Sequence, residues 1–308
     1  MGVIGIDTSN YTTSIAWFNG TTGENCSRLL PVKQGELGLR QSDAVFAHVK
    51  GLPELSDRLF SHLNGERICA VGVSTRPRAL EGSYMPCFMV GYSHAKVLSD
   101  ALGVPLIQVS HQQGHIAASL WSAGCLNLMD EPHLAWHLSG GTTELLLVEP
   151  EGRNVSCKKI GGTSDISAGQ LIDRTGQLLG LPFPSGKYLD ELSKAAAGRE
   201  RFKVKCQQSV FSLSGVQNKV QEFFRRSGSR EETALYALRS VAYAVYQATG
   251  QALLEYPGLR VVFSGGVASN TLLREELKSL NPVFAQAQYS TDNAMGVAVL
   301  TDRMTKEK

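Results

Sequence analysis

The sequence predicts an α/β protein of two lobes, and three observations carry that prediction. At 308 residues the chain is longer than one hydrophobic core usually serves. Strand-like and helix-like segments alternate along it, the pattern of sheets covered by helices. One layout, an apolar strand running into a turn of Gly, Ser and Thr, occurs three times.

In chain order, residues 3–17 read as a strand, a hydroxyl-rich turn and a returning strand. Residues 104–110 form a strand that leads directly into His111-Gln-Gln-Gly-His115 and an Ala-rich helix. Residues 134–148 repeat the first layout, and the repetition points to two lobes that share a hairpin and face each other across a cleft. Helical spacing of apolar residues predicts helices over 165–179 and 188–197, then a long Ala-rich helix over 231–255 ended by Tyr-Pro-Gly. Residues 260–277 read as a strand, a Gly-Gly turn and a helix whose unpaired first amides favour an anion or a nucleotide's polar edge.

Composition narrows the function. With 43% hydrophobic and 19% charged residues the chain is an ordinary globular protein, and 31 glycines against 11 prolines put weight on tight turns rather than disorder. A net charge of +2 exerts no global pull on nucleic acid, so a polyanion would have to meet a local patch. The candidates are the tract 194–205, with Arg199, Arg201 and Lys203, joined by Arg225, Arg226 and Arg230, and the pair Arg76 and Arg78. No run reaches the roughly 18–20 apolar residues that span a bilayer, and the start lacks a signal peptide's basic flank, so a cytoplasmic location is expected. Six scattered cysteines without a CxxC pair fit reduced thiols. None of the three turns matches GxxxxGK[ST] or GxGxxG, which disfavours P-loop and Rossmann sites.

The chemistry concentrates around two imidazoles. His111 and His115, four residues apart, project from one helix face at the spacing that lets both hold one divalent metal. Asp292, where a turn hands over to a closing helix, is the candidate third ligand. A His2Asp set suits Zn, Fe or Mn.

Together these segments resemble the Gcp/TsaD family, once called glycoproteases and now understood as tRNA threonylcarbamoyladenosine transferases. Gly5-Ile-Asp-Thr-Ser9 looks like the family's opening, and His111-Gln-Gln-Gly-His115 like its His-x-Glu-Gly-His. Ser139-Gly-Gly-Thr-Thr143 is similar to its Ser-Gly-Gly-His-Thr. Asp173-Arg174, the segment 178–186, Asp190, Phe211-Ser-Leu-Ser-Gly215, Gly265-Gly-Val-Ala-Ser-Asn270 and Thr291-Asp-Asn-Ala294 follow in the family's order. The resemblance implies an actin-like ATPase (ASKHA) fold of two duplicated lobes around a nucleotide cleft. Residues 1–128, joined by a closing helix 293–308, would form the N-terminal lobe, and 129–292, with inserted helices, the C-terminal one. It further implies one divalent metal, Fe or Zn foremost, on His111, His115 and Asp292, and an adenine nucleotide or acyl-adenylate. Leu138, Ser139, Gly140, Gly141 and Thr142 would line its phosphate and acyl region, while Asp173, Gly186, Asp190 and Asn270 would contact the adenosine. The implied reaction passes a threonylcarbamoyl group from its adenylate to N6 of an adenosine in tRNA, with tRNA and a TsaB-like protein as further partners.

The chain departs from the family around that centre. Asn10-Tyr-Thr-Thr13 stands where the family has Cys-Asp-Glu-Thr, so two acids are missing. Gln113 replaces the glutamate of the histidine motif, Thr142 a histidine, and Arg76-Pro-Arg78 a Gly-Pro-Gly loop that residues 81–86 extend. No catalytic residue is therefore assigned. A non-catalytic paralogue that binds a nucleotide and a protein partner is the alternative. A metalloprotease is disfavoured, because neither Gln112 nor Gln113 can act as the base of an HExxH mechanism.

Overall fold

The computed structural model describes residues 1–31, 39–63 and 65–306. The chain divides into two compact units, Met1–Glu131 with Glu149–Cys157 and Asp292–Lys308, and Pro132–Val148 with Lys158–Thr291. The hairpin tip Glu149–Cys157, expected in the second lobe, thus clusters with the first, and residues 307–308 of the expected closing helix lie outside the described residues.

Unit 1 is built on a five-stranded sheet. β1 (Gly2–Ser9), β2 (Thr12–Phe18) and β3 (Gly23–Leu29) form an antiparallel meander, and β4 (Ile68–Arg76) and β5 (Leu106–Ser110) extend it in parallel beyond β1, giving the order β3-β2-β1-β4-β5. Side chains alternate between the faces of a strand. Ile4 and Ile6 of β1 accordingly enter a core with Leu52, Leu55 and Leu59 of α1 (Gln41–His62) and Ala95 of α2 (Phe88–Leu102). Gly5 faces the other way, against the backbone of the C-terminal helix Met295–Thr305 at Ala294 and Ala298. Asp7 and Ser9 share that second face by the same alternation. α3 (His111–Ser122) also packs on the C-terminal helix.

Unit 2 repeats the plan. β6 (His133–Leu138), β7 (Thr143–Glu151), β8 (Asn154–Thr163), β11 (Arg260–Ser264) and β12 (Val283–Phe284) run in the order β8-β7-β6-β11-β12, the same arrangement as in unit 1. The short β9 (Cys206–Gln207) and β10 (Val210–Phe211) extend it past β8. This is the duplication that the shared hairpins foretold, in the actin-like form that the family resemblance implied. Its core joins Leu134, Trp136 and Leu138 of β6 to Leu171 and Ile172 of α4 (Ala168–Leu178) and to Val241 and Val245 of the long α7 (Arg230–Glu255). α5 (Gly186–Ser193), α6 (Ser214–Ser227) and α8 (Thr271–Glu276) complete the unit, and the C-terminal helix of unit 1 is α9.

Several boundaries differ from expectation for local reasons. The helix predicted over 165–179 starts at Ala168, because Asp165 turns outward to accept from the amides of Leu213 and Ser214 at the start of α6, and Ser167 takes the cap of α4. The helix predicted over 188–197 ends at Ser193. Among the described residues no helix is long and apolar enough to cross a membrane, and all six cysteines are free.

Candidate metal centre and nucleotide-contact residues

A capping box starts α3 at the residue that matters. The Ser110 hydroxyl accepts from Gln113 N at 3.2 Å, and Gln113 Oε1 accepts from Ser110 N at 2.9 Å. Gln113 Nε2 donates to Val155 O at 2.7 Å. Its carboxamide is thereby committed to holding the start of the helix. His111 becomes the first residue of the helix, and the i, i+4 spacing stacks His115 beside it with the two Nε2 atoms 2.9 Å apart.

Asp292, just ahead of α9, completes the group. Its Oδ1 lies 3.2 Å from His115 Nε2 and 3.6 Å from His111 Nε2, and one donor atom from each residue falls within 4.8 Å of the others. Donors held at about 2.0–2.1 Å on a tetrahedron sit roughly 3.3–3.4 Å apart. The observed separations bracket that value, so the donor set fits a divalent metal in both chemistry and spacing. The histidines are largely buried, and Asp292, 28% exposed, keeps an opening.

The charges around the triad are coupled. Burial pushes the Asp292 carboxyl upward, but hydrogen bonds and charge from His111 and His115 outweigh it and hold the group well below the usual carboxylate range. Burial likewise opposes a charged His111, yet Asp7 and Asp292 raise it well above the ordinary imidazole value.

Three contributors to the centre were not among the ligand candidates read from sequence. Asp7, fully buried on β1, accepts from His111 Nδ1 at 2.9 Å and from the Ser74 hydroxyl. Ser9 and Thr12, across the β1–β2 turn, place hydroxyls 3.4 Å from Asp292 Oδ2. Tyr11 at the turn is exposed. Arg76 pairs in register with Ser110, and Pro77 O accepts from Gln112 N, so the Arg76-Pro-Arg78 segment runs alongside the start of α3.

In unit 2 the remaining candidates form one linked group. Leu138 ends β6, and the turn after it closes through Ser139 N to Thr142 O at 2.8 Å and Thr142 N to the Ser139 hydroxyl at 3.1 Å. Side chains added at Gly140 or Gly141 would meet only open space. Ser167, the cap of α4, donates to Gly140 O and ties this turn to the helix that carries Asp173. Asp173 accepts from Ser185 N at 2.8 Å, next to Gly186 at the start of α5, and burial raises its carboxyl. Asp190, one turn along α5, accepts from Thr271 N and its hydroxyl, beside Asn270.

One expectation fails here. The Gly265-Gly266 turn does not open an α-helix with free amides. Gly265, at φ +92°, lies against the backbone of Leu138 and leads into a 3-10 turn. Two of the amides that start α8 are already taken, Leu273 N by the Asn270 side chain and Thr271 N by Asp190. The basic tract is also partly engaged within unit 2: Lys194 pairs with Glu191, Arg226 with Glu200, and Arg201 lies over the Tyr243 ring.

Comparison with known proteins agrees with these features. The family described as TsaD, tRNA N6-adenosine threonylcarbamoyltransferase, matches residues 36–299. The enzyme of that name from Carboxydothermus hydrogenoformans is 34% identical over 267 residues, 82% of this chain and 75% of its own. The one from Sulfurihydrogenibium sp. is 32% identical over 327 residues, 100% of this chain and 92% of its own. Among solved structures, full-length HypF in its phosphate- and nucleotide-bound form superposes with a TM-score of 0.62 at 15% identity, covering 99% of this chain and 56% of that one. A ROK hexokinase from Thermus thermophilus gives 0.57 at 16%, covering 100% of each. The activator of 2-hydroxyisocaproyl-CoA dehydratase from Clostridium difficile with bound ADPNP gives 0.54 at 13%, covering 100% and 99%. These likenesses show the actin-like fold. By sequence and fold the chain belongs to the Gcp/TsaD family, of which it is a divergent member.

Proposed function

We propose that this chain is a metal-dependent acyltransferase that passes a threonylcarbamoyl group, or a closely related acyl group, from its adenylate to N6 of an adenosine in tRNA. The convergence of His111, His115 and Asp292 in a member of the TsaD family carries the reading. Those three residues would hold Fe or Zn, and the metal would supply Lewis-acid polarisation of an acyl or phosphoryl oxygen. In unit 2, the open Gly140 and Gly141 leave room for phosphate beside Leu138, Ser139 and Thr142. Asp173 engages Ser185 through Oδ1, which leaves Oδ2 to accept from a ribose hydroxyl, and Gly186, Asp190 and Asn270 flank the base and sugar. The nucleotides named with HypF and the dehydratase activator support this assignment. Free thiols fit the reducing cytoplasm as its compartment.

A second reading is favoured by Tyr11 and Thr12 in the first turn and by the structural commitment of Gln113. In it, the chain binds an adenine nucleotide and a TsaB-like or other protein partner without catalysis. Incubation of the purified, metal-loaded chain with labelled threonylcarbamoyl-adenylate and unmodified tRNA separates the two. Label in tRNA that disappears with His115→Ala establishes the transferase. Nucleotide binding without any transfer leaves the second reading.

A further inference from the structure

We infer that Asp7 is the residue that sets His111 as a metal ligand, by holding its Nδ1 proton and so presenting the Nε2 lone pair. A neutral imidazole carries one proton on either ring nitrogen, and only the nitrogen without it can bind a metal. Asp7 Oδ1 sits 2.9 Å from His111 Nδ1, and an ionised carboxylate can only accept, so the proton resides on Nδ1. Nε2 is then the free atom, and it is the one aimed at His115 Nε2 and Asp292 Oδ1. The Ser74 hydroxyl, one strand over on β4, donates to the same Oδ1 and fixes the carboxylate in turn. The chain of Ser74, Asp7, His111 and the donor triad lies wholly within unit 1.

The competing explanation is that Asp7 merely stabilises the core. Its other oxygen argues against that. Asp7 Oδ2 is buried with no hydrogen-bond partner among the described residues, and a half-satisfied carboxylate in a strand buried throughout costs stability. A side chain chosen only for the fold would be apolar or fully paired. Asp7 is thereby assigned as a positioning residue, one that acts through His111. Carboxylates behind metal-bound histidines typically change affinity by roughly 10- to 100-fold.

The inference rests on the metal reading above, and the test keeps the two apart. Full-length apo-protein is titrated with Co2+, read by its visible d–d absorption, and with Zn2+ against a chromophoric chelator. Wild type, Asp7→Asn, Ser74→Ala, His111→Ala, His115→Ala and the double variant Asp7→Asn/His111→Ala are compared. The Asn amide is nearly isosteric, but it can turn its NH2 toward Nδ1 and leave the ring proton on Nε2. Asp7→Asn should therefore lose roughly 10- to 100-fold in affinity and change the Co2+ spectrum. On the His111→Ala background the same substitution should cost nothing further, an outcome that a purely structural role does not produce. Should Asp7→Asn fail to fold, Ser74→Ala, which removes the hydroxyl that donates to Asp7, is expected to weaken Co2+ binding several-fold. Unchanged affinity and spectrum in every folded Asp7 and Ser74 variant, with binding lost in His115→Ala, overturns the role of Asp7 alone. Unchanged binding in His115→Ala as well sinks the metal reading on which it rests.

Discussion

Replacing Gly296 by alanine tests how the metal centre is held together. α3 carries both histidines and α9 follows Asp292, and the two helices meet backbone to backbone at Gly114 and Gly296. A Cβ at Gly296 would fall on the Gly114 carbonyl, 2.6 Å from its carbon and 2.8 Å from Ala118 N. Comfortable contacts between such atoms need about 3.5–4.0 Å, so the helices must part by roughly 1.5–2 Å. Overpacking of a close-packed site costs about 1–3 kcal/mol. With backbone on both sides the upper end, about 3 kcal/mol, is expected. At about 2–4 °C per kcal/mol for a unit of roughly 150–250 residues, the melting temperature should fall by about 6–12 °C. Parting α3 from α9 also draws Asp292 away from His111 and His115, so Co2+ affinity should drop in the same variant. Calorimetry and a Co2+ titration measure the two effects. A Gly296→Ala protein that melts with wild type and binds Co2+ equally well would refute the claim that this crossing sets the site.

Adenine nucleotides should stabilise the protein by mass action, about 2.7 kcal/mol at a hundredfold excess over Kd, and Asp173→Ala should blunt the shift seen in a thermal melt. No shift with ATP, ADP or AMP at millimolar concentration would remove the nucleotide assignment. Asp165 caps α6 from a distance. Burial raises its carboxyl, but the Ser212 and Ser214 hydroxyls and the Leu213 and Ser214 amides together outweigh it and hold the group well below its ordinary value. A lowered folded value means that its stabilisation is complete above about pH 4, where the unfolded group titrates, and fades as pH falls through the folded value. Asp165→Asn should therefore cost up to about 1 kcal/mol near neutrality, reduced by solvent screening at this exposed site, and little in strong acid. Urea denaturation at both pH values checks it, and an equal loss at each would contradict the assignment.

Much of this architecture was legible because its signals are local. The hydroxyl-rich turn after β1 and the Ser-Gly-Gly turn after β6 announced both hairpins, and their repetition anticipated two units built on a common hairpin. The spacing of His111 and His115 is fixed by helical geometry, and the turn before α9 marked Asp292. What escaped was long-range. Asp7 meets His111 across 104 residues of chain, and Ser74 meets Asp7 across 67. In sequence Asp7 sits at the end of an apolar strand, inside the Gly5-to-Ser9 segment, with nothing to tie it to His111. Asp165 was placed inside a helix because its neighbours have helical spacing, yet its carboxylate reaches α6, 49 residues on. The amides of α8 looked free because Asp190, which occupies one of them, lies 81 residues earlier. Competition for a backbone donor by a distant carboxylate leaves no periodic trace.

The central claim is that His111, His115 and Asp292 form a metal centre, and elemental analysis tests it most directly. Protein purified without chelators should carry about one equivalent of Fe or Zn per chain, as expected of a single three-ligand site. His111→Ala and His115→Ala, each folded by circular dichroism, should carry almost none. Equal metal content in wild type and both variants would contradict the account and leave the two imidazoles as packing groups of α3.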